Sequence, residues 1–196
     1  MKRSLTLLLL VLLPIWVFAQ ESYKISPKST VKVDGTSTMH DWSMQSSSVQ
    51  GTVVLDQQGG KINNIKQANL KLAAESLKSG KDAMDKNAYK ALNTGKHKDI
   101  SFVLTGIKSV EQQNGATKII ALGTVTIAGK SKAETIELIG RADSKGAISF
   151  QGSKAIKMSE YGVEPPSFMF GSVTTGDAIT INFNIQLSSS QDLVNN

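Results

Sequence analysis

The feature that most constrains this chain is the stretch AITINFNIQL, Ala178 to Leu187. Ile179, Ile181, Phe183, Ile185 and Leu187 alternate without a break with Ala178, Thr180, Asn182, Asn184 and Gln186. A period of two puts all five apolar side chains on one face of an extended strand and excludes a helix there. Such a stripe has to lie against other strands. The same alternation recurs upstream, at Val31–Val33–Gly35, Val49–Gly51–Val53–Leu55, Ala68–Leu70–Leu72–Ala74 and Ile100–Phe102–Leu104–Gly106. It continues through Ile119–Ala121–Gly123–Val125–Ile127, Ile136–Leu138–Gly140 and Ile148–Phe150–Gly152.

These segments give about eight strands. Gln58-Gly59-Gly60, Asn114-Gly115, Ala128-Gly129-Lys130 and Ser144-Lys145-Gly146 supply turns with a glycine where φ turns positive, which favours sequential antiparallel hairpins. Eight strands in that order close into an up-and-down barrel and so remove their exposed edges. One segment departs from the period. Between Lys81 and Leu92, Met84, Ala88, Ala91 and Leu92 fall at helical spacing, with Lys86, Asn87 and Lys90 facing away, Asp82 and Asp85 near the amino end and Gly95 beyond the carboxyl end. The expected architecture is all-β, an eight-stranded antiparallel barrel with one short helix that caps a barrel end.

The amino terminus has the form of a cleaved secretory signal over residues 1–19: Lys2 and Arg3, an apolar run from Leu5 to Phe18, then Val17-Phe18-Ala19 before the cut. That run falls short of the roughly 20 apolar residues of a comfortable membrane span. The expected domain then runs over residues 20–188, with a polar tail at 189–196, in the periplasm or outside the cell. Loss of Lys2 and Arg3 lowers the formal charge from +6 to +4. The remaining basic residues are interleaved with acids, which argues against a nucleic-acid stripe. The chain has no cysteine, so no disulfide supports it and core burial has to.

Alternation does not say which face points inward. The outer face, opposite the apolar stripe, carries charges at mid-strand, such as Lys71, Glu137 and Arg141, and a lipid-facing barrel would show aromatic girdles, whereas aromatics make up 6% of this chain. The apolar face is therefore read as interior and the protein as not membrane-spanning. An interior of this size is either filled by side chains or holds a small ligand. Gly35, Gly51, Gly106, Gly123, Gly140 and Gly152 share the inward parity; they either leave volume or mark bends. If the barrel is hollow, Val33, Leu70, Leu72, Phe102, Leu104, Val125, Leu138, Phe150, Ile181, Phe183 and Ile185 line it, and Phe168 and Phe170 plug or gate one end. Such a lining suits a long apolar tail and cannot orient a polar reactant.

Chemistry-bearing residues are sparse. His40 and His97 are the two histidines, and the densest polar–aromatic cluster is Thr38-Met39-His40-Asp41-Trp42. His40 and Trp42 are candidate contacts for a ligand head group, or a locally satisfied pair at a strand start. No G-x-S-x-G elbow, phosphate-binding glycine loop or H-E-x-x-H motif occurs, and neither enzyme activity, a cofactor nor a metal site is expected. A structural or partner-binding barrel with a filled core is the alternative. Val103, Ile120, Leu122 and Ile139 have the outward parity and form a surface on which two copies could pair.

The stretches Gly35-Thr36-Ser37-Thr38-Met39-His40-Asp41-Trp42, Leu122 to Lys130, and Lys157-Met158-Ser159-Glu160-Tyr161-Gly162-Val163 through Pro165-Pro166 to Met169-Phe170-Gly171 resemble the YceI-like family of secreted, lipocalin-like polyisoprenoid-binding proteins. Asp85 to Lys98, running into Ile100-Ser101-Phe102, is similar to the family's helix-to-strand join, although Lys98-Asp99 stands where the family often has a proline. The similarity covers residues 23–187. It implies a lipocalin-like antiparallel barrel with an apolar tunnel for an isoprenoid chain, such as a quinone tail or polyprenyl pyrophosphate. Individual ligand residues do not transfer, so the lining residues above rest on strand parity.

Overall fold

The computed structural model describes residues 21–143 and 146–188; the side chains of residues 21, 168 and 169 are not described. Among the described residues eleven strands are present: β1 (Glu21–Ile25), β2 (Thr30–Ser37), β3 (Trp42–Ser46), β4 (Val49–Gln58), β5 (Lys61–Ala73), β6 (Asp99–Gln113), β7 (Ala116–Ile127), β8 (Lys130–Ala142), β9 (Ile148–Lys157), β10 (Ser167–Phe168) and β11 (Val173–Ser188). One α-helix among these residues, α1 (Asp82–Leu92), interrupts them. All pairings are antiparallel, in the order β1-β4-β5-β6-β7-β8-β9-β11. A second pairing of β1 with β11 closes these eight strands into a ring.

The expected first strand, Val31 to Gly35, is β2, and it does not close the ring. It pairs with β11 on one side and β3 on the other. Ring closure belongs to β1, a short strand whose polar sequence ESYKI hides its role. The two part at a turn held by Ser29, whose hydroxyl donates to Gln186 O and accepts from Gln186 N. Elsewhere, the β2–β3 hairpin reaches the segment beyond β5 through a bridge between Gln45 and Lys78. The wall is thus completed by different strands at its two ends.

The expected turns are present at Gly59–Gly60, Asn114–Gly115 and Ala128–Gly129, all with positive φ. The remaining one, at Ser144-Lys145-Gly146, lies partly outside the described residues, and the expected leader at 1–19 and expected polar tail at 189–196 lie wholly outside them. Helix α1 begins after Lys81 and ends on Asn93 in the left-handed conformation, so the stop is an asparagine rather than the expected Gly95.

Four register shifts, two in β4–β5 and two in β6–β7, change which residues face inward. Register shifts in β4–β5 bring Ile65 opposite Leu55 and Ile62 opposite Gln57, and Ile62 and Ile65 are buried. Shifts in β6 place Gly106 opposite the outward Leu122 and Ile107 opposite the inward Ala121. Gly106 is therefore not an interior glycine, and a Cβ there would meet open space. Each extra residue flips the parity of the residues that come after it in the strand.

The interior glycines are not voids. A Cβ on Gly35 would strike the Trp42 ring, and one on Gly123 the Phe102 ring. One on Gly140 would come within 2.9 Å of Phe150, and one on Gly152 within 2.5 Å of Phe183. Each glycine makes room for an aromatic ring from an adjoining strand, as in sheets where a ring covers a glycine. One end of the barrel is solid: Tyr23, Leu55, Ile62, Ile119 and Ile148 are all buried in the main core.

Candidate functional site

Beyond that solid end the barrel is hollow. An inner chamber of about 160 Å³ is lined by Val31, Val49, Val53, Ile65, Ala68, Leu70, Leu72, Phe102, Leu104, Ala121, Val125, Ile136, Leu138, Phe150, Phe183 and Ile185 among others. A larger cavity of about 390 Å³ adjoins it and shares Val31, Leu72, Ile100, Ile156 and Ile181. The larger volume falls within the range of small-molecule sites, roughly 300–1,000 Å³. The two chambers follow one another along the barrel, so the shape offered is that of an extended chain.

The aromatic–glycine pairs shape the inner chamber. Phe102, Phe150 and Phe183 lie over Gly123, Gly140 and Gly152, so their rings take the space that a side chain at those positions would occupy. A residue larger than glycine at these positions would push the rings into the space.

Helix α1 roofs the outer cavity. Met84, Asn87, Ala88 and Ala91 recur at i, i+3, i+4 and i+7 and line it. Asn87 does not face away as expected; its i+3 spacing from Met84 puts it on the lining face. The roof is fastened along one side. Asp85 is buried in the first turn and accepts from Ser79 N at 2.8 Å and Ser79 Oγ at 2.6 Å, while Lys78 Nζ lies 3.8 Å away. Those hydrogen bonds from Ser79 outweigh the cost of burial and hold the Asp85 carboxyl below the usual carboxylate range. Tyr89 donates to Glu75 O and Leu77 O, and Thr94 donates to Glu75 Oε1.

An ionic seam closes one flank. The β8–β9 ladder ends at Leu138 and Gly152, although both strands continue. Side chains take over: Lys154 Nζ lies 2.7 Å from Glu134 Oε2 and donates to Thr135 O, and the buried Tyr161 hydroxyl donates to Glu134 Oε1 at 2.9 Å. Burial pushes the Glu134 carboxyl up, but the hydrogen bonds from Lys154 and Tyr161 outweigh it and keep the group below its ordinary value. Burial, then the bond to Glu134, raises the Tyr161 hydroxyl well above its ordinary value. The seam keeps the flank shut while Lys154 turns its stem to the inner chamber.

Of the residues expected from parity, Leu70, Leu72, Phe102, Leu104, Val125, Leu138, Phe150, Ile181, Phe183 and Ile185 line the inner chamber, and Val33 lines the outer cavity. His40 and Trp42 line the outer cavity at its rim. The Trp42 indole N–H donates to Thr36 O at 3.0 Å, so toward a ligand it offers its ring rather than a donor. Phe170 is not part of the lining. It is fully exposed, with φ 54° in a tight turn, and neither plugs nor gates the cavity. Phe168 lies in β10 opposite Val173; its side chain is outside the described residues.

Parity misses the lining from irregular segments: Leu77 after β5, and Met158, Tyr161, Val163 and Pro166 after β9. No period marks these, and the double proline is the one signal. Among the described residues no group of three or more His, Cys, Asp or Glu side chains could hold a metal ion. No described helix is long and apolar enough to cross a membrane.

Comparison with known proteins bears on this hollow barrel. The family model of the YceI-like domain matches residues 23–187. No curated protein sequence matches the chain. Among solved structures the chain is similar to BcnA of Burkholderia cenocepacia, with TM-score 0.67 and 16% identity over 84% of this chain and 99% of that one. It is also similar to a polyisoprenoid-binding domain from Saccharophagus degradans implicated in plant cell wall breakdown, with TM-score 0.65 and 12% identity over 87% of this chain and 99% of the other. The Campylobacter jejuni YCEI protein gives TM-score 0.53 at 18% identity, over 70% of this chain and 81% of that one. At these identities the likeness is one of fold.

Proposed function

The chain belongs to the YceI-like domain family, and on that footing we propose that it is a periplasmic or secreted, non-catalytic carrier for an isoprenoid lipid. The tail lies in the hollow, with its free end in the inner chamber and its head at the rim beside His40, Lys81 and Asn87. The observation that carries this reading is the succession of two adjoining apolar cavities, which together suit a chain and not a compact molecule. The polyisoprenoid-binding domain of Saccharophagus degradans supports the class of ligand. The leader at residues 1–19 supports export, which leaves the domain at 20–188 as the working part.

Energetics point the same way. At about 24 cal/mol per Å³, an unfilled inner chamber of 160 Å³ costs roughly 4 kcal/mol of stability. An apolar guest recovers that cost and gains about 0.8 kcal/mol for each methylene taken out of water. Of the described residues around the hollow, the Tyr161 hydroxyl and the Glu134 carboxylate are bonded to one another in the seam.

Organic extraction of the protein purified without detergent, followed by mass spectrometry, tests the reading. An isoprenoid should be recovered in stoichiometric amount, or taken up when quinones and polyprenols are offered. A protein that carries none and binds none overturns it.

A further inference from the structure

The described residues leave four large hydrophobic side chains exposed: Met39, Val103, Leu122 and Phe170. Val103 and Leu122 are on the barrel side and are 44% and 38% exposed, ordinary values for scattered surface residues. Met39 is 72% exposed and Phe170 fully so, and they occupy two turns that are tied together. Thr38 N donates to Thr174 O at 3.0 Å, Thr174 N donates to Thr38 Oγ1 at 3.2 Å, and Ser37 pairs with Thr175. The neighbours of both turns line the outer cavity: Ser37, His40 and Trp42 on one, Pro166, Val173 and Thr175 on the other. The two most exposed apolar side chains thus stand at the rim of the hollow.

Phe170 is also held at φ 54°, a left-handed conformation that a bulky residue rarely adopts. Burial does not explain that strain, because the ring meets solvent.

We propose that Met39 and Phe170 form a docking tip by which the rim of the tunnel seats on a lipid bilayer surface. This rests on the carrier reading for its purpose: a cargo of long apolar chains is dissolved in bilayers, so a bilayer is the surface the rim must meet. A Phe and a Met that enter the headgroup–acyl boundary give weak, reversible attachment, which suits a carrier that must leave. Lys81 lies at the rim, and Asp41 and Glu164 are exposed on the flanking segments, so both signs are present and the contact is apolar rather than electrostatic.

The test compares the wild-type protein, the double variant Met39→Ser/Phe170→Ser and the control Val103→Ser/Leu122→Ser. Co-sedimentation is measured with vesicles of phosphatidylethanolamine and phosphatidylglycerol at low and high salt. Transfer of a fluorescent polyprenol between vesicles and its affinity in detergent solution are measured alongside. The tip variant should partition onto vesicles roughly tenfold more weakly, with transfer slowed in proportion and detergent affinity unchanged; the control should match wild type, and salt should matter little. Equal partitioning and transfer by the tip variant overturn the proposal and leave the carrier reading standing. Equal loss in the control, or a concentration-dependent dimer that the tip variant abolishes, overturns it as well, the latter assigning the tip to a second copy. Tip-dependent partitioning by a wild-type protein that binds no polyprenol upholds the docking tip and removes the carrier reading.

Discussion

Replacing Ala121 by leucine tests whether the inner chamber is empty space that a ligand uses. Ala121 is buried, opposite Ile107 and Ile136, and lines the chamber of 160 Å³. Leucine adds three carbons. At about 0.8 kcal/mol per carbon buried, filling vacant space stabilises the ligand-free protein by roughly 2 kcal/mol. For a domain of this length that raises the melting temperature by about 6 °C. The same atoms displace the end of the tail, so affinity for long chains falls by the same roughly 2 kcal/mol, about 30-fold. Chains too short to pass the residues shared by the two cavities keep their affinity. Urea denaturation of delipidated protein gives the first quantity. Titration of Trp42 fluorescence with a homologous series of polyprenols gives the second, since Trp42 lines the outer cavity and is the sole tryptophan among the described residues. A destabilised variant that binds long and short chains like wild type would refute the reasoning, for it would mean that the chamber has no room and no guest.

Gly35→Ala drives a methyl into the Trp42 ring and should cost about 1–3 kcal/mol; pairing it with Trp42→Leu should recover most of that in a double-mutant cycle. Glu134→Ala strands Lys154 and the Tyr161 hydroxyl and should cost about 3 kcal/mol by urea denaturation at neutral pH. Because folding lowers the Glu134 pKa, its contribution is present above the unfolded value and is lost as pH falls through the lower folded one. Stability of wild type should therefore drop below the ordinary value of 4.5, and the acid limb of Glu134→Gln should be flatter. Asp85→Ala removes both bonds to Ser79; about 2 kcal/mol of stability should go, with faster hydrogen exchange in α1 and faster ligand release. Leu138→Asp puts a charge in the inner chamber and should abolish lipid binding, with circular dichroism to confirm the fold.

Parity in the sequence locates most of the lining, because a strand with one buried face must repeat every two residues and this chain does so in long runs. It fails where an extra residue breaks the count. Ile62, Ile65 and Ile107 escape it, and Gly106 is assigned inward, because a bulge carries no mark in the residues around it. Short strands escape for a related reason: ESYKI and WSMQS hold too few alternations to stand above chance, yet β1 closes the ring and Trp42 and Met44 line the outer cavity. The seam could be suspected from Glu134 and Lys154, which share the parity of Ile136 and Ile156, but only the splayed ladder shows why charges sit there.

By itself the sequence settled an all-β chain of antiparallel hairpins with one short helix, an apolar face turned inward and the family resemblance, since these stem from local period, turn residues and short motifs. Whether the interior is filled or hollow was decided by the tertiary structure alone. The interior glycines suggested either vacancy or bends; Gly35, Gly123, Gly140 and Gly152 proved to seat rings from adjoining strands, whereas Gly51 lies against the backbone of Asn69 and Gly106 faces outward. That outcome depends on which residues meet across strands far apart in the chain, and no window of neighbouring residues contains it.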